Sequence, residues 1–134
     1  MKPSTPYSFE TTLDLPIAQA REKVLAELKE EQFGLISEID IAAKIKEKLG
    51  IDHPPNVILG ACNPKIAHQA LEDNPDVALA LPCNVVLLEK NGKTTVSALL
   101  PSIALKPFEG LKVHESSCTA EEKLSKVFDA LTTS

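Results

Sequence analysis

The residues best able to do chemistry fall in two short blocks. One runs Leu59-Gly60-Ala61-Cys62-Asn63-Pro64-Lys65-Ile66-Ala67-His68, and the other runs Leu81-Pro82-Cys83-Asn84. Cys62 ends an apolar run and precedes Asn63-Pro64, which suits a helix start with Asn as cap and Pro in the first turn. A thiolate at a helix N-terminus is stabilised by unpaired N–H groups and the macrodipole, so the thiol pKa can fall toward neutrality. Thiolate is the form that attacks electrophiles and binds metals, which makes Cys62 the candidate nucleophile. Cys83 opens another apolar run. If the two runs are neighbouring strands, the thiols form either a redox pair or two ligands of a soft metal. His68 is the nearest third ligand and also has the chemistry of a haem ligand or proton carrier. Lys65, close to the helix start, could draw an anion together with the free N–H groups. The candidate binding set is therefore Cys62, Asn63, Lys65, His68 and Cys83, with Cys62, His68 and Cys83 as candidate metal ligands.

Each residue also has a purely structural reading. A free cysteine in an apolar run often serves as a small hydrophobe. A lone histidine on a short helix often bonds a nearby carbonyl. Lysine beside a helix start is usually a solvated surface charge. His53 and His114 have no partner at a recognisable spacing. The sequence holds no C-x-x-C, H-x-x-x-H, G-x-S-x-G, P-loop or G-x-G-x-x-G.

The elements that must position these residues follow from periodicity and punctuation. Tyr7–Leu15 reads as a first strand. Asp14 and Pro16 suit a helix start, and Ile17, Val24, Leu25 and Leu28 give that helix one apolar face. Gly34 is placed to end it in a left-handed conformation. Leu35–Ile39 reads as a second strand. Asp40 can cap a helix whose stripe is Ile41, Ile45 and Leu49, closed by Gly50. The loop Asp52-His53-Pro54-Pro55-Asn56 leads into Val57–Cys62, a continuous apolar run expected to be buried on both faces. The Asn63-Pro64 helix ends at Asn74-Pro75, and Val77–Leu81 is ambiguous between strand and short helix. Cys83–Glu89 and Lys93–Leu100 flank Asn91-Gly92, the strongest short-range hairpin signal. Pro101 breaks the second of these strands, and residues 102–118 give no clear pattern. Thr119-Ala120-Glu121-Glu122 has the form of a capping box, followed by a C-terminal amphipathic helix on Leu124, Val127, Phe128 and Leu131.

These elements predict an α+β two-layer domain, with a mixed, mostly antiparallel sheet carrying helices. The expected organisation is a flexible tail over residues 1–6 and one domain over 7–134. The chain has 134 residues, 43% hydrophobic and 25% charged, which bounds it to a single globular core. A net charge of -5 excludes the overall basic field expected of a nucleic-acid binder. No apolar stretch approaches the ~20 residues of a membrane span, and the first residues lack the apolar core of a secretory signal. With an odd count of 3 cysteines, this points to the cytoplasm and away from a disulfide framework.

The blocks Leu59–Leu71 and Leu81–Val86, with Phe33-Gly34, Glu38-Ile39-Asp40 and Lys48-Leu49-Gly50 upstream, resemble the signature of the domain-of-unknown-function 302 family. The similarity runs over residues 7–101 in consistent order. It implies a small α+β homodimer and brings no established activity or catalytic set. Three functions follow as expectations. The first is a binding domain holding a small ligand, metal or haem near Cys62, His68 and Cys83. The second is a thiol-dependent redox or transfer enzyme with Cys62 as nucleophile. The third is a dimerisation module in which the signature residues only shape the fold.

Overall fold

The computed structural model describes residues 1–133, so the last residue of the expected domain, Ser134, lies outside the described residues. The strands are β1 (Ser8–Leu13), β2 (Gly34–Asp40), β3 (Asn56–Cys62), β4 (Cys83–Lys90) and β5 (Lys93–Leu99). The helices are α1 (Ile17–Glu30), α2 (Ile41–Leu49), α3 (Pro64–Asp73), the single turn α4 (Pro101–Ala104) and α5 (Leu111–Thr133), with a 3-10 segment at Pro75–Ala80. The strands form one sheet in the order β1-β5-β4-β3-β2. Every pairing is antiparallel, so the α+β two-layer architecture stands and the sheet needs no parallel crossover.

Register follows from the hydrophobic pattern. Phe9, Ala98, Val85 and Leu59 face one another across four strands, and all are buried. Glu10, Ser97, Val86 and Ile58 make the adjoining row on the opposite face. A slip of one residue would exchange the two rows, which is why alternation pins the pairing. Ala20, Val24 and Leu28 of α1 and Leu124, Val127, Phe128 and Leu131 of α5 cover the apolar row. Each large aliphatic or aromatic side chain buried this way contributes roughly 1.5–3 kcal/mol. A second, smaller cluster of Ala70, Val77 and Val113 joins α3, the 3-10 segment and the start of α5. The long helix α5 thus serves both clusters.

Several local expectations hold. Asp40 caps α2 by accepting from Ala43 N at 2.9 Å. Gly50 ends α2 with φ 66°. Asn91 and Gly92 take φ 54° and 76°, the paired positive values of a tight hairpin turn. Apart from these expectations, the segment before β1, expected as a flexible tail, makes contacts with the domain: Ser4 Oγ accepts from Glu10 N at 2.9 Å, and the Met1 amino group meets Asp129 at 2.9 Å.

Other expectations are corrected. The left-handed residue after α1 is Gln32, with φ 62°, while Gly34 already begins β2. Pro16 and Asp14 supply no side-chain cap to α1; Glu89 of β4 accepts from Ile17 N at 2.6 Å instead. The Val57–Cys62 run is not buried throughout on both faces: Leu59, Gly60 and Ala61 are buried, while Val57, Ile58 and Cys62 are half-buried. The α2 stripe is only partly covered: Ile41 and Ile45 are half-buried, no residue of α2 is fully buried, and Leu49 is 68% exposed. The capping box at Thr119–Glu122 lies within α5, where Thr119 Oγ1 donates back to Glu115 O at 3.0 Å. The true start of α5 is set from a distance. Asp73, the last residue of α3, accepts from Lys112 N at 2.9 Å and Val113 N at 3.1 Å. Gly110, at φ 140°, lies against that carboxylate, and a Cβ there would collide with Asp73. Among the described residues no helix is long and apolar enough to cross a membrane.

Candidate functional site

Cys62 is the last residue of β3 and Cys83 the first of β4. Ala61 pairs with Cys83, so the two cysteines sit one residue out of register at the same end of the sheet. Both are free thiols, and both are half-buried. The Leu81–Pro82 peptide just before Cys83 is cis. At this end of the sheet α3, α4 and α5 close over an inner chamber of about 40 Å3, whose walls include Cys62, Cys83, Ile66, Ala70, Leu105 and Ser116. A more open outer pocket of about 270 Å3 lies beside it, bounded by Leu79, Pro82, Asn84 and Leu99. Ala80, Leu81, Cys83, Pro101 and Ala104 belong to both, so the two are parts of one concavity with Cys83 at the junction. No Asp, Glu, Lys, Arg or His lines either part among the described residues.

The chemistry of the thiols follows from these walls. Burial pushes the Cys62 thiol above its ordinary value. Burial, and secondarily the nearby Cys62, push Cys83 up to about 11. The expected lowering by the helix N-terminus is therefore overturned. Asn63 Oδ1 already occupies the first-turn donor, Ile66 N, at 3.3 Å, and apolar surroundings penalise the anion. Both residues are neutral thiols at pH 7.

The structure separates the remaining candidates. Asn63 is 7% exposed; besides capping α3 it donates from Nδ2 to Glu31 O at 3.3 Å, which fastens α3 to the end of α1. Lys65 is exposed on α3. The side chain of His68 is 74% exposed, lies 3.5 Å from Glu72, and is absent from the chamber walls. The expected metal trio of Cys62, His68 and Cys83 therefore does not converge, because His68 is on the outward side of α3. Among the described residues no group of three or more His, Cys, Asp or Glu is arranged to hold a metal ion. Cys118 is exposed on α5, 3.8 Å from His114 Nε2, and is not part of the concavity.

One residue of the site escaped sequence reasoning. Ser116 is 1% exposed and lines the inner chamber, and its hydroxyl has no hydrogen-bond partner. Its neighbour Ser117 donates to His114 O at 2.8 Å, the usual helical outlet. Ser116 lies in the stretch 102–118. There, Val113, Ser116, Ala120 and Leu124 share one buried helical stripe, and a polar residue on that stripe was the available signal.

A two-layer α+β domain with a small, uncharged, thiol-walled concavity at one sheet end is the class that this geometry defines. The family described as Domain of unknown function DUF302 matches residues 9–131, and the chain belongs to that family. The crystal structure of an uncharacterized conserved DUF302 protein from Bacillus stearothermophilus superposes with a TM-score of 0.85 at 26% identity, covering 95% of this chain and 99% of that one. No curated protein matches the sequence.

Proposed function

We propose that this is a homodimeric binding domain of the cytoplasm whose ligand is a small molecule held at the Cys62–Cys83 end of the sheet. The observation that carries the reading is the convergence of the two thiols, from neighbouring strands, on one concavity roofed by three helices. The uncharged walls, apolar in the inner chamber, favour binding by burial over nucleophilic attack, because thiols pushed up by burial are poor nucleophiles at pH 7. With His68 turned to solvent, the site lacks the third donor that a structural metal or an imidazole-ligated haem requires. Three free thiols suit a reducing compartment.

A second copy is the occupant proposed for the other uncovered surface. Every residue of the edge strand β2 is exposed, including Leu35, Ile36 and Ile39, and Leu49 and Ile51 extend the apolar surface. An open apolar edge of this kind is a template for pairing, and like-with-like pairing about a two-fold axis covers it on both chains.

Native mass spectrometry of the untagged protein, purified without chelators, tests both parts. A dimer carrying one added mass per chain is expected, with that mass lost in Cys83→Phe, where the larger side chain fills the junction. A monomer at micromolar concentration overturns the homodimer. An added mass that survives Cys83→Phe overturns the placement of the ligand.

A further inference from the structure

The two parts of the concavity differ in polarity, and the difference specifies how a molecule lies in it. Resting on the binding reading above, we propose that the ligand is an uncharged amphiphile that enters apolar end first. Its apolar end fills the inner chamber behind Cys83, and its hydrogen-bonding end stays in the outer pocket at Asn84.

The inner chamber is almost wholly apolar, with Phe33, Ile66, Ala70, Val77 and Leu105 in its wall. Ser116 belongs to that wall, yet its hydroxyl oxygen is withdrawn from accessible surface, and both ends of the Asn63 amide are engaged at the start of α3. The two thiols add only weakly polar sulfur. A polar group placed there leaves water and finds no partner, whereas an aliphatic group gains by burial. The chamber measures about 40 Å3, and one water needs roughly 10–15 Å3 on the same kind of measure, so it admits an end of only a few carbon atoms. The outer pocket of about 270 Å3 is of the opposite kind, with nearly half of its surface polar. Asn84 is exposed on its wall, and its side-chain amide bonds no other described residue, which leaves a donor and an acceptor for a ligand. Together the two parts approach the roughly 300–1,000 Å3 of small-molecule sites. No charged side chain lines either part among the described residues, so a carboxylate or ammonium end gives up hydration with no counter-charge to replace it.

The probes are hexanamide, butanamide and hexanoate, each titrated into the whole 13C,15N-labelled chain at pH 7. In filtered NOE spectra the terminal methyl of hexanamide should contact the methyls of Ile66 and Ala70, which wall only the chamber. The protons beside its amide should contact the methyls of Leu79 and Leu99, which bound only the outer pocket. Hexanamide is expected to bind about 15-fold tighter than butanamide, the ratio for two buried methylenes. Ala67→Leu, at a half-buried position in the chamber wall, should abolish that ratio. Asn84→Ala should weaken hexanamide about fivefold, the ratio for one neutral hydrogen bond. Hexanoate is expected to bind at least about fivefold more weakly than hexanamide. A reversed NOE pattern overturns the proposal while leaving the concavity as the site. So does hexanoate binding as tightly as hexanamide, an unchanged affinity in Asn84→Ala, or a chain-length ratio that survives Ala67→Leu. Shifts of the same methyls on raising the protein concentration without a probe would give the mouth to a second copy and also overturn it. If hexanamide contacts neither set of methyls, the concavity itself is refuted as the binding site. The NOE pattern of the unaltered protein decides the matter even if Ala67→Leu folds poorly.

Discussion

Replacing Ser116 with alanine should stabilise the ligand-free domain, although the side chain is fully buried. In the folded protein its hydroxyl is removed from water and bonded to nothing. Leaving a buried polar group unsatisfied costs about 1–3 kcal/mol. Alanine removes that group and adds a few tenths of a kcal/mol of helix propensity in the interior of α5. The lost oxygen enlarges the inner chamber slightly, which returns a few tenths in the other direction. The net gain is about 1–3 kcal/mol. For a chain of this size it should raise Tm by roughly 3–12 °C. Differential scanning calorimetry reads the shift, and a urea titration should show a higher midpoint at unchanged m. Ser117 is the matched control, equally buried on the same helix but donating to His114 O at 2.8 Å. Ser117→Ala loses a made hydrogen bond and should leave Tm level or lower it. If Ser116→Ala lowers Tm as much as a satisfied serine would, the hydroxyl has a partner in the resting protein and the reasoning fails.

Three further outcomes are expected. Alkylation at pH 7 should label Cys118 first and Cys83 last, and the Cys83 rate should rise toward an inflection near 11; an inflection of Cys62 below about 8 would restore it as a nucleophile. Asp73→Ala should cost about 1–2 kcal/mol by uncapping α5, and an unchanged urea midpoint would show that α5 starts without that carboxylate. The Arg21 guanidinium holds the Glu38 carboxyl below its ordinary value through bonds of 2.8 and 2.7 Å. A carboxyl depressed on folding stabilises the fold above its unfolded pKa, and that contribution fades as pH falls through the lower folded value. The pair is about one-third exposed, so the contribution is at most about 1 kcal/mol. Glu38→Gln should therefore bring the stability-versus-pH curve closer to level in acid, and an acid limb identical to that of the unaltered protein would refute the link.

Features written in adjacent residues were legible in the sequence. Asp40, Gly50, Asn63-Pro64 and Asn91-Gly92 each act within a few positions of themselves, and each does in the structure what its chemistry dictates. The apolar runs that end at Cys62 and begin at Cys83 were legible as strands, but that these strands are neighbours comes only from the β3–β4 pairing. What was not legible depends on residues far apart in the chain. Glu89 serves the start of α1 and Asp73 the start of α5, so the local signals at Asp14 and Thr119–Glu122 were read for tasks that distant carboxylates perform. His68 looked like a ligand because it is close to Cys62 in sequence, but the helical turn carries it to solvent. The direction of the thiol shifts was missed for the same reason. A helix start was visible in the sequence, whereas the desolvating walls come from α3, α4 and α5 together.

The walls around the two thiols are drawn from Phe33 through Ala120, and this has a consequence during synthesis. A chain emerging from the ribosome at roughly 5–20 residues per second presents Cys62 and Cys83 well before the helix that roofs them has been made. During that interval both are solvated thiols of ordinary acidity, open to oxidants and alkylating agents. Once α5 docks, the low polarity of the walls keeps them protonated. The finished domain therefore shields Cys62 and Cys83 but not the exposed Cys118, and the nascent chain depends on the reducing power of its surroundings.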